Sequence, residues 1–222
     1  MNCIAILLLG EIQMTHILHL DSSPRGNRSI SRTLTKEFIT TWKNIHPGDT
    51  VTYRNLGHNP IPPIDEAWIA AAFSSPDETT PELTTALNIS NELIDELLAA
   101  KLYVFGIPMY NYSVPANFKA YIDQIVRVRR TFVVSSDGYE GLVRNKKMLV
   151  ITTRGGTYSA TPLDFQEPYL QAVFEFIGIT DIKFIHAENL AMGIEDRQQS
   201  LAAAHVAIKE CVETWQTDND ND

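Results

Sequence analysis

The run Leu102-Tyr-Val-Phe-Gly-Ile107 carries no polar side chain facing either way apart from one tyrosine hydroxyl. A strand with one wet face alternates, whereas a continuous apolar run is typical of a strand covered on both faces, as in a parallel sheet sandwiched by helices. The rest of the chain supplies such a sheet. His16–Leu20, Thr50–Leu56, Lys147–Thr152 and Asp181–His186 read as four further strands. Helical stripes fall between and after them: Ile30, Leu34, Phe38 and Trp42; Phe118, Ile122 and Ile125; Leu170, Val173 and Ile177, stopping at Gly178; and Leu201, His205, Ile208, Val212 and Trp215. One long helix is expected from Pro81, with Leu83, Leu87, Leu93, Ile94 and Leu97 on its buried side. Thr131–Val134 and Tyr139–Val143 flank Ser-Ser-Asp-Gly and predict a hairpin. Five strands alternating with helices imply an α/β fold, a doubly wound five-stranded parallel sheet with helices on both faces.

Composition narrows the class. The 222 residues are 44% hydrophobic and 20% charged, which fits one globular domain, here residues 14–216. A net charge of −9 argues against a nucleic-acid or anionic-membrane partner, so any anion site must be local. The acidic tail 217–222 is expected to be disordered. Cys3 and Cys211 sit at opposite ends of the chain, as reduced thiols of a cytoplasmic protein would. The histidines show no metal-ligand spacing, and no metal site is expected. Ile4–Leu9 is too short to span a membrane and lacks the basic flank of a signal peptide. Met14 opens directly into the first strand, so residues 1–13 are expected to be a non-native extension.

In a doubly wound sheet ligands bind at the carboxyl ends of the strands, at the topological switch point. Three loops follow strands there. Asp21-Ser-Ser-Pro-Arg-Gly-Asn-Arg-Ser29 joins the first strand to the first helix. Its hydroxyls and the helix N-terminus form an anion site. It has neither the lysine of a P-loop nor the glycine spacing of a dinucleotide fold. Ser23, Ser29 and Ser31 with nearby amides suit one phosphate monoester, which points to FMN. Met109-Tyr110-Asn111-Tyr112 offers aromatic planes for a flat heterocycle. Thr153-Arg154-Gly155-Gly156 offers amides with little side chain in the way. Taken singly, each loop reads equally as a serine-capped turn, a local tyrosine cluster and a strand exit.

Together, in this order, with PMYNYSVPANFKAYID, LVITTRGG and GITDIKFIHAENLAMG, the loops resemble the FMN-dependent NADH-azoreductases, also called NADH:quinone oxidoreductases. The resemblance spans roughly Met14 to Gly193. It implies a flavodoxin-like fold and a homodimer with one FMN per subunit, in a pocket shared between subunits. NADH is then the electron donor, and quinones or azo compounds are the acceptors. FMN contacts map onto Ser23, Ser29, Ile30, Ser31, Met109, Tyr110, Asn111, Tyr112, Thr153, Arg154, Gly155 and Gly156. Tyr112 and Phe132 become candidate substrate-stacking residues, and no side chain is required as catalytic acid or base. Two departures stand out: Arg129 replaces a glycine usual in the family, and Tyr112 stands where phenylalanine is common. From the residues alone, a non-enzymatic electron carrier and a phosphate-binding module without redox function compete with the enzyme. The 57–80 insertion and the hairpin read as pocket walls, which favours the enzyme.

Overall fold

The computed structural model describes residues 14–75, 77, 80–136 and 138–219, with 216–219 described by backbone alone. The sheet is formed by β1 (His16–Asp21), β2 (Thr50–Asn55), β3 (Leu102–Pro108), β6 (Lys147–Thr153) and β7 (Asp181–Ala187). Its order is β2-β1-β3-β6-β7 and all four pairings are parallel. The order reverses between β1 and β3, which is where the first two loops emerge side by side.

All seven residues of β3 are buried, and pleating divides them between two cores. Tyr103, Phe105 and Ile107 face Leu93, Leu97, Phe118, Tyr121 and Phe174. These come from α4 (Asn88–Ala99), α5 (Ala116–Ile125) and α6 (Glu167–Ile177). Leu102 and Val104 face Leu34, Phe38, Trp42, Ile208 and Trp215 of α1 (Ile30–Ile45) and α7 (Ile194–Asn219). A strand without a wet face is thus required by two separate layers.

Three details differ from the sequence expectation. The helix from Pro81 is two helices, α3 (Pro81–Ala86) and α4, because Leu87 leaves helical geometry at φ −96°, ψ 1°. Thr84 and Thr85 donate their hydroxyls to the carbonyls of Thr80 and Pro81, the back-bonding that weakens a helix interior. The insertion carries the short helix its sequence predicts, α2 (Glu66–Phe73), capped by Asp65, which accepts from Trp68 N. In α7, Ala204 is buried while His205 is exposed and bonded to Glu37 at 2.6 Å, as the 3.6-residue period carries the stripe past position 205. Finally, α7 continues to Asn219, so 217–219 are helical where a disordered tail was expected. Residues 1–13 and 220–222 lie outside the described residues.

The expected hairpin pairs β4 (Phe132–Ser135) with β5 (Gly138–Gly141). It rests on the C-terminal end of α6, where Val143 N donates to Ile177 O at 2.8 Å. Helix α6 runs back from the carboxyl end of β6, so the hairpin sits at the opposite edge of the sheet from the three loops.

Candidate functional site

The first loop leaves β1 at Asp21 and enters α1 through a short 3-10 turn, Gly26–Arg28. Ser29 caps α1: its side chain accepts from Arg32 N at 3.3 Å and lies 3.1 Å from the Ser31 hydroxyl. Ile30 and Ser31 open the helix, so their N–H groups have no intrahelical acceptor. Ser23, Ser29 and Ser31 are all buried. The seat therefore presents hydroxyls and amides at the positive end of a 16-residue helix.

What holds this seat is close packing of backbone and a buried polar cluster. A Cβ on Gly57 would lie 2.0 Å from Ser23 O, and one on Gly106 would lie 2.6 Å from Asp21 Oδ1. Ser22 donates from both N and Oγ to Gly106 O. Asp21 is fully buried and accepts from the hydroxyls of Thr35 and Tyr53, both at 2.9 Å, with His19 Nε2 3.5 Å away. Burial alone would raise its pKa, but His19, Thr35 and Tyr53 together hold it below the ordinary carboxylate value. Burial and the Asp21 charge push the Tyr53 hydroxyl up to about 12, so it stays a donor. Arg32 extends the cluster, donating to Tyr53 Oη at 2.7 Å, Asn55 Oδ1 at 2.8 Å and Ser23 O at 3.1 Å.

The second loop is anchored by Met109 N, which donates to Thr153 O at 2.9 Å. Tyr110 and Ser113 then exchange both backbone hydrogen bonds around a two-residue turn. Asn111 and Tyr112 occupy it with φ of 50° and 68°, a left-handed pair that asparagine tolerates and tyrosine does not favour. Strain of this kind concentrates at ligand sites. It leaves Tyr110 and Tyr112 exposed, with Tyr112 edge-on to Tyr158 at 5.8 Å between centroids.

The third loop is held by charge. The Arg154 guanidinium is fully buried. It reaches Asp164 Oδ2 at 2.8 Å, Glu188 Oε1 at 3.2 Å, Ser159 Oγ at 3.1 Å and Gln166 Oε1 at 3.2 Å. Glu188 also accepts from the N–H groups of Tyr158 and Ser159, both at 2.8 Å. Burial opposes its charge, yet these donors and Arg154 bring its pKa below the usual value. The carbonyls of Gly155 and Gly156 accept from Ala191 N and Asn189 N. Their own N–H groups donate to no acceptor among the described residues.

A cavity of about 200 Å³ joins the three loops. From the expected set it is lined by Ser23, Ser29, Ile30, Met109, Tyr110, Thr153, Arg154 and Gly155. Ser31, Asn111, Tyr112 and Gly156 stand next to lining residues without lining it themselves. Phe132 is not brought there: it packs on Phe176 at 4.7 Å, at the far edge of the sheet. Pro108, Arg25, Leu190, Ala191 and Arg197 also line the cavity and were missed. Arg25 lies within the first loop, and Leu190 and Ala191 within the stretch GITDIKFIHAENLAMG, so both signals were legible. Arg197 sits one turn beyond that stretch, inside an unremarkable polar helix start.

Arg129 adopts φ 66°, in the left-handed region that glycine favours. Its guanidinium donates to Ala72 O and Ser74 O, both at 2.8 Å, at the C-terminal end of α2. Among the described residues no cluster of His, Cys, Asp and Glu is arranged for a metal, and no helix is long and apolar enough to cross a membrane. Burial pushes the Cys211 thiol up to about 11, which makes it inert.

A flavodoxin-like family model matches residues 15–212. An FMN-dependent NADH:quinone oxidoreductase of Trichormus variabilis is 71% identical over 201 residues, 90% of this chain and 97% of that protein. A second one from the same organism is 62% identical over 91% of this chain and its own full length. Among solved structures, an FMN-dependent NADH-azoreductase of Bacillus anthracis in complex with FMN superposes with a TM-score of 0.82 at 26% identity, covering 91% of this chain and 99% of that one. With its switch-point cavity, serine seat and sheet order, the chain belongs to the FMN-dependent NADH:quinone oxidoreductase family of the flavodoxin-like fold.

Proposed function

We propose that this chain holds one FMN per subunit in the three-loop cavity and passes two electrons from NADH to quinones, donor and acceptor taking turns at the site. Azo compounds are reduced by the same route, two rounds cleaving the bond to two amines. Family membership makes the chain an FMN-dependent oxidoreductase. One observation carries the assignment of the site: Gly155, whose N–H is unspent like that of Gly156 beside it, lines the same cavity as a serine and helix N-terminal anion seat.

The residues fit the cofactor. Ser23, Ser29, Ser31 and the first-turn amides match the acceptor-rich phosphate monoester. The Gly155 and Gly156 amides match the polar edge of the ring, where added electrons place negative charge. Met109 and Tyr110 offer an apolar floor and a ring plane. Bound FMN supplies the two-electron chemistry, and the protein supplies binding, orientation and electrostatics. Arg154 serves this site as a positioning residue for the third loop, its charge being satisfied by Asp164 and Glu188.

We infer a homodimer as the working form. Tyr110, Tyr112, Leu163, Phe165, Met192 and Ile194 are exposed on the loops of the carboxyl rim, which is how an interface begins. Phe132 is remote from its own cavity, so a substrate role for it requires that the interface also bring the hairpin of one subunit over the cavity of the other. Phe132→Ala and Tyr112→Ala should each raise KM for bulky quinones several-fold, and unchanged steady-state kinetics would remove them from the substrate site.

The direct test is an absorption spectrum of protein expressed from Met14 and purified without added cofactor. Flavin bands that bleach with NADH under nitrogen and return with benzoquinone are expected. Bands that stay oxidised would favour an electron carrier, and a colourless protein that FMN cannot reconstitute would overturn the reading.

A further inference from the structure

The cavity wall carries two arginines besides the serines of the phosphate seat. Arg25 comes from the first loop and Arg197 from the first turn of α7, so separate parts of the chain deliver them to one cavity. Both are exposed. Arg25 is fixed through its backbone, its N–H donating to Ser23 Oγ at 3.3 Å and its carbonyl accepting from Arg28 N at 3.2 Å. Among the described residues its guanidinium meets no carboxylate. The Arg197 guanidinium makes one long contact, 3.4 Å to Leu190 O.

Three features make this pair unusual. The chain is acidic overall, at −9, yet among the described residues these cations form no ion pair, whereas Asp164 and Glu188 beside the third loop are engaged by Arg154 and backbone amides. An arginine in a first helical turn opposes the helix dipole, which favours acids there, and Glu195 and Asp196 beside it obey that rule. Local preferences broken without compensation mark functional positions. The third is an absence: no glycine fingerprint exists to bring backbone amides against a dinucleotide pyrophosphate. Side chains must meet that charge, and planar guanidinium groups suit phosphate oxygens.

We propose that Arg25 and Arg197 form a second anion subsite at the cavity, which binds the pyrophosphate of the nicotinamide dinucleotide donor. The subsite rests on the flavin reading above, with the flavin's single phosphate held by the serine seat. It selects the donor by charge. Uncharged quinones and azo compounds pass it without interaction.

The test compares NADH with a phosphate-free donor, 1-benzyl-1,4-dihydronicotinamide, in the flavin-loaded protein and its Arg25→Gln, Arg197→Gln and double variants. The ratio of kcat/KM for NADH to that for the truncated donor should fall about tenfold for each arginine, the worth of one charge-assisted hydrogen bond. The native ratio should also fall with added sodium chloride, and that slope should flatten in the double variant. FMN affinity, followed by fluorescence quenching on titration into stripped protein, should stay within about twofold. An unchanged donor ratio in the double variant would overturn the subsite. So would a tenfold loss of FMN affinity with no change in the ratio, since both arginines would then serve the flavin phosphate. Failure of native protein to bind FMN at all would instead sink the flavin reading, and the titration reports that separately.

Discussion

The first and third loops border one cavity, and close packing sets the first apart from the third. Around Ser23 the chain is wedged: two glycines admit neighbouring backbone or carboxylate so closely that a methyl group has no room. Around Gly155 nothing comparable exists, and a Cβ there would meet only Ala191 at 3.6 Å. That loop is instead tied by a buried arginine to two carboxylates. Steric wedging is indifferent to pH and salt, whereas a charge network depends on protonation. Each method suits the ligand group proposed for it. A compact phosphate needs donors fixed at one point, while a ring edge needs a length of backbone kept clear of its own hydrogen-bond partners.

The comparison can be broken most severely at Arg154. Arg154→Ala leaves Asp164 and Glu188 without their cation, and loss of one partner of a buried pair costs about 3–5 kcal/mol. A urea melt should show it, and Arg154→Lys should restore little because one ammonium cannot reproduce the fork to Asp164. Gly57→Ala is the matching break in the first loop. Forcing a methyl against Ser23 O should cost about 1–3 kcal/mol and weaken FMN binding at least tenfold, with no dependence on pH. Ser29→Ala removes a helix cap and one seat hydroxyl. It should cost about 1 kcal/mol of stability and reduce FMN affinity more than it changes KM for quinone.

The smallest effect is the most discriminating. Behind the third loop, His186 accepts or donates with Thr152 at 2.7 Å and lies 2.9 Å from Glu167. Burial and Arg154 outweigh that carboxylate and lower its pKa below 6.5. The unfolded chain then binds the proton more readily, so this contribution is complete above pH 6.5 and is lost as pH falls below it. Glu188 adds a loss of its own below 4.5, and Asp21, in the first loop, only below 3.8. Hydrogen exchange at pH 7.5 and 5.5 should therefore show the Tyr158 and Ser159 amides losing protection while the Ser22 and Arg32 amides keep theirs. Equal losses in both loops would erase the distinction.

Much of this was legible in sequence because it rests on local patterns. The unbroken apolar run of β3 required helices on both sides, and the strand–loop–helix order put three loops on one rim. Ser29 before an apolar stripe announced a capped helix. What was not legible depended on contacts between distant residues. Arg154 reads as a cation beside glycines, and only Asp164 and Glu188, 10 and 34 residues away, turn its side chain inward. The break at Leu87 depends on threonine hydroxyls turning back on the chain, and a stripe count does not register them. Phe132 lies within a predicted hairpin, but nothing local says which edge of the sheet the hairpin will occupy.

Arg129 has a consequence for how this cavity could diversify. An L-residue held at φ 66° costs about 1–2 kcal/mol, and its two hydrogen bonds to the end of α2 recover a similar amount. Exchange between arginine and glycine at this point is close to neutral for stability, yet it decides whether α2 is moored to the segment that leads into the hairpin. Mutational drift can cross that step without passing through an unfolded intermediate sequence. The insertion can therefore be fastened or released in different lineages while the sheet and its three loops stay as they are.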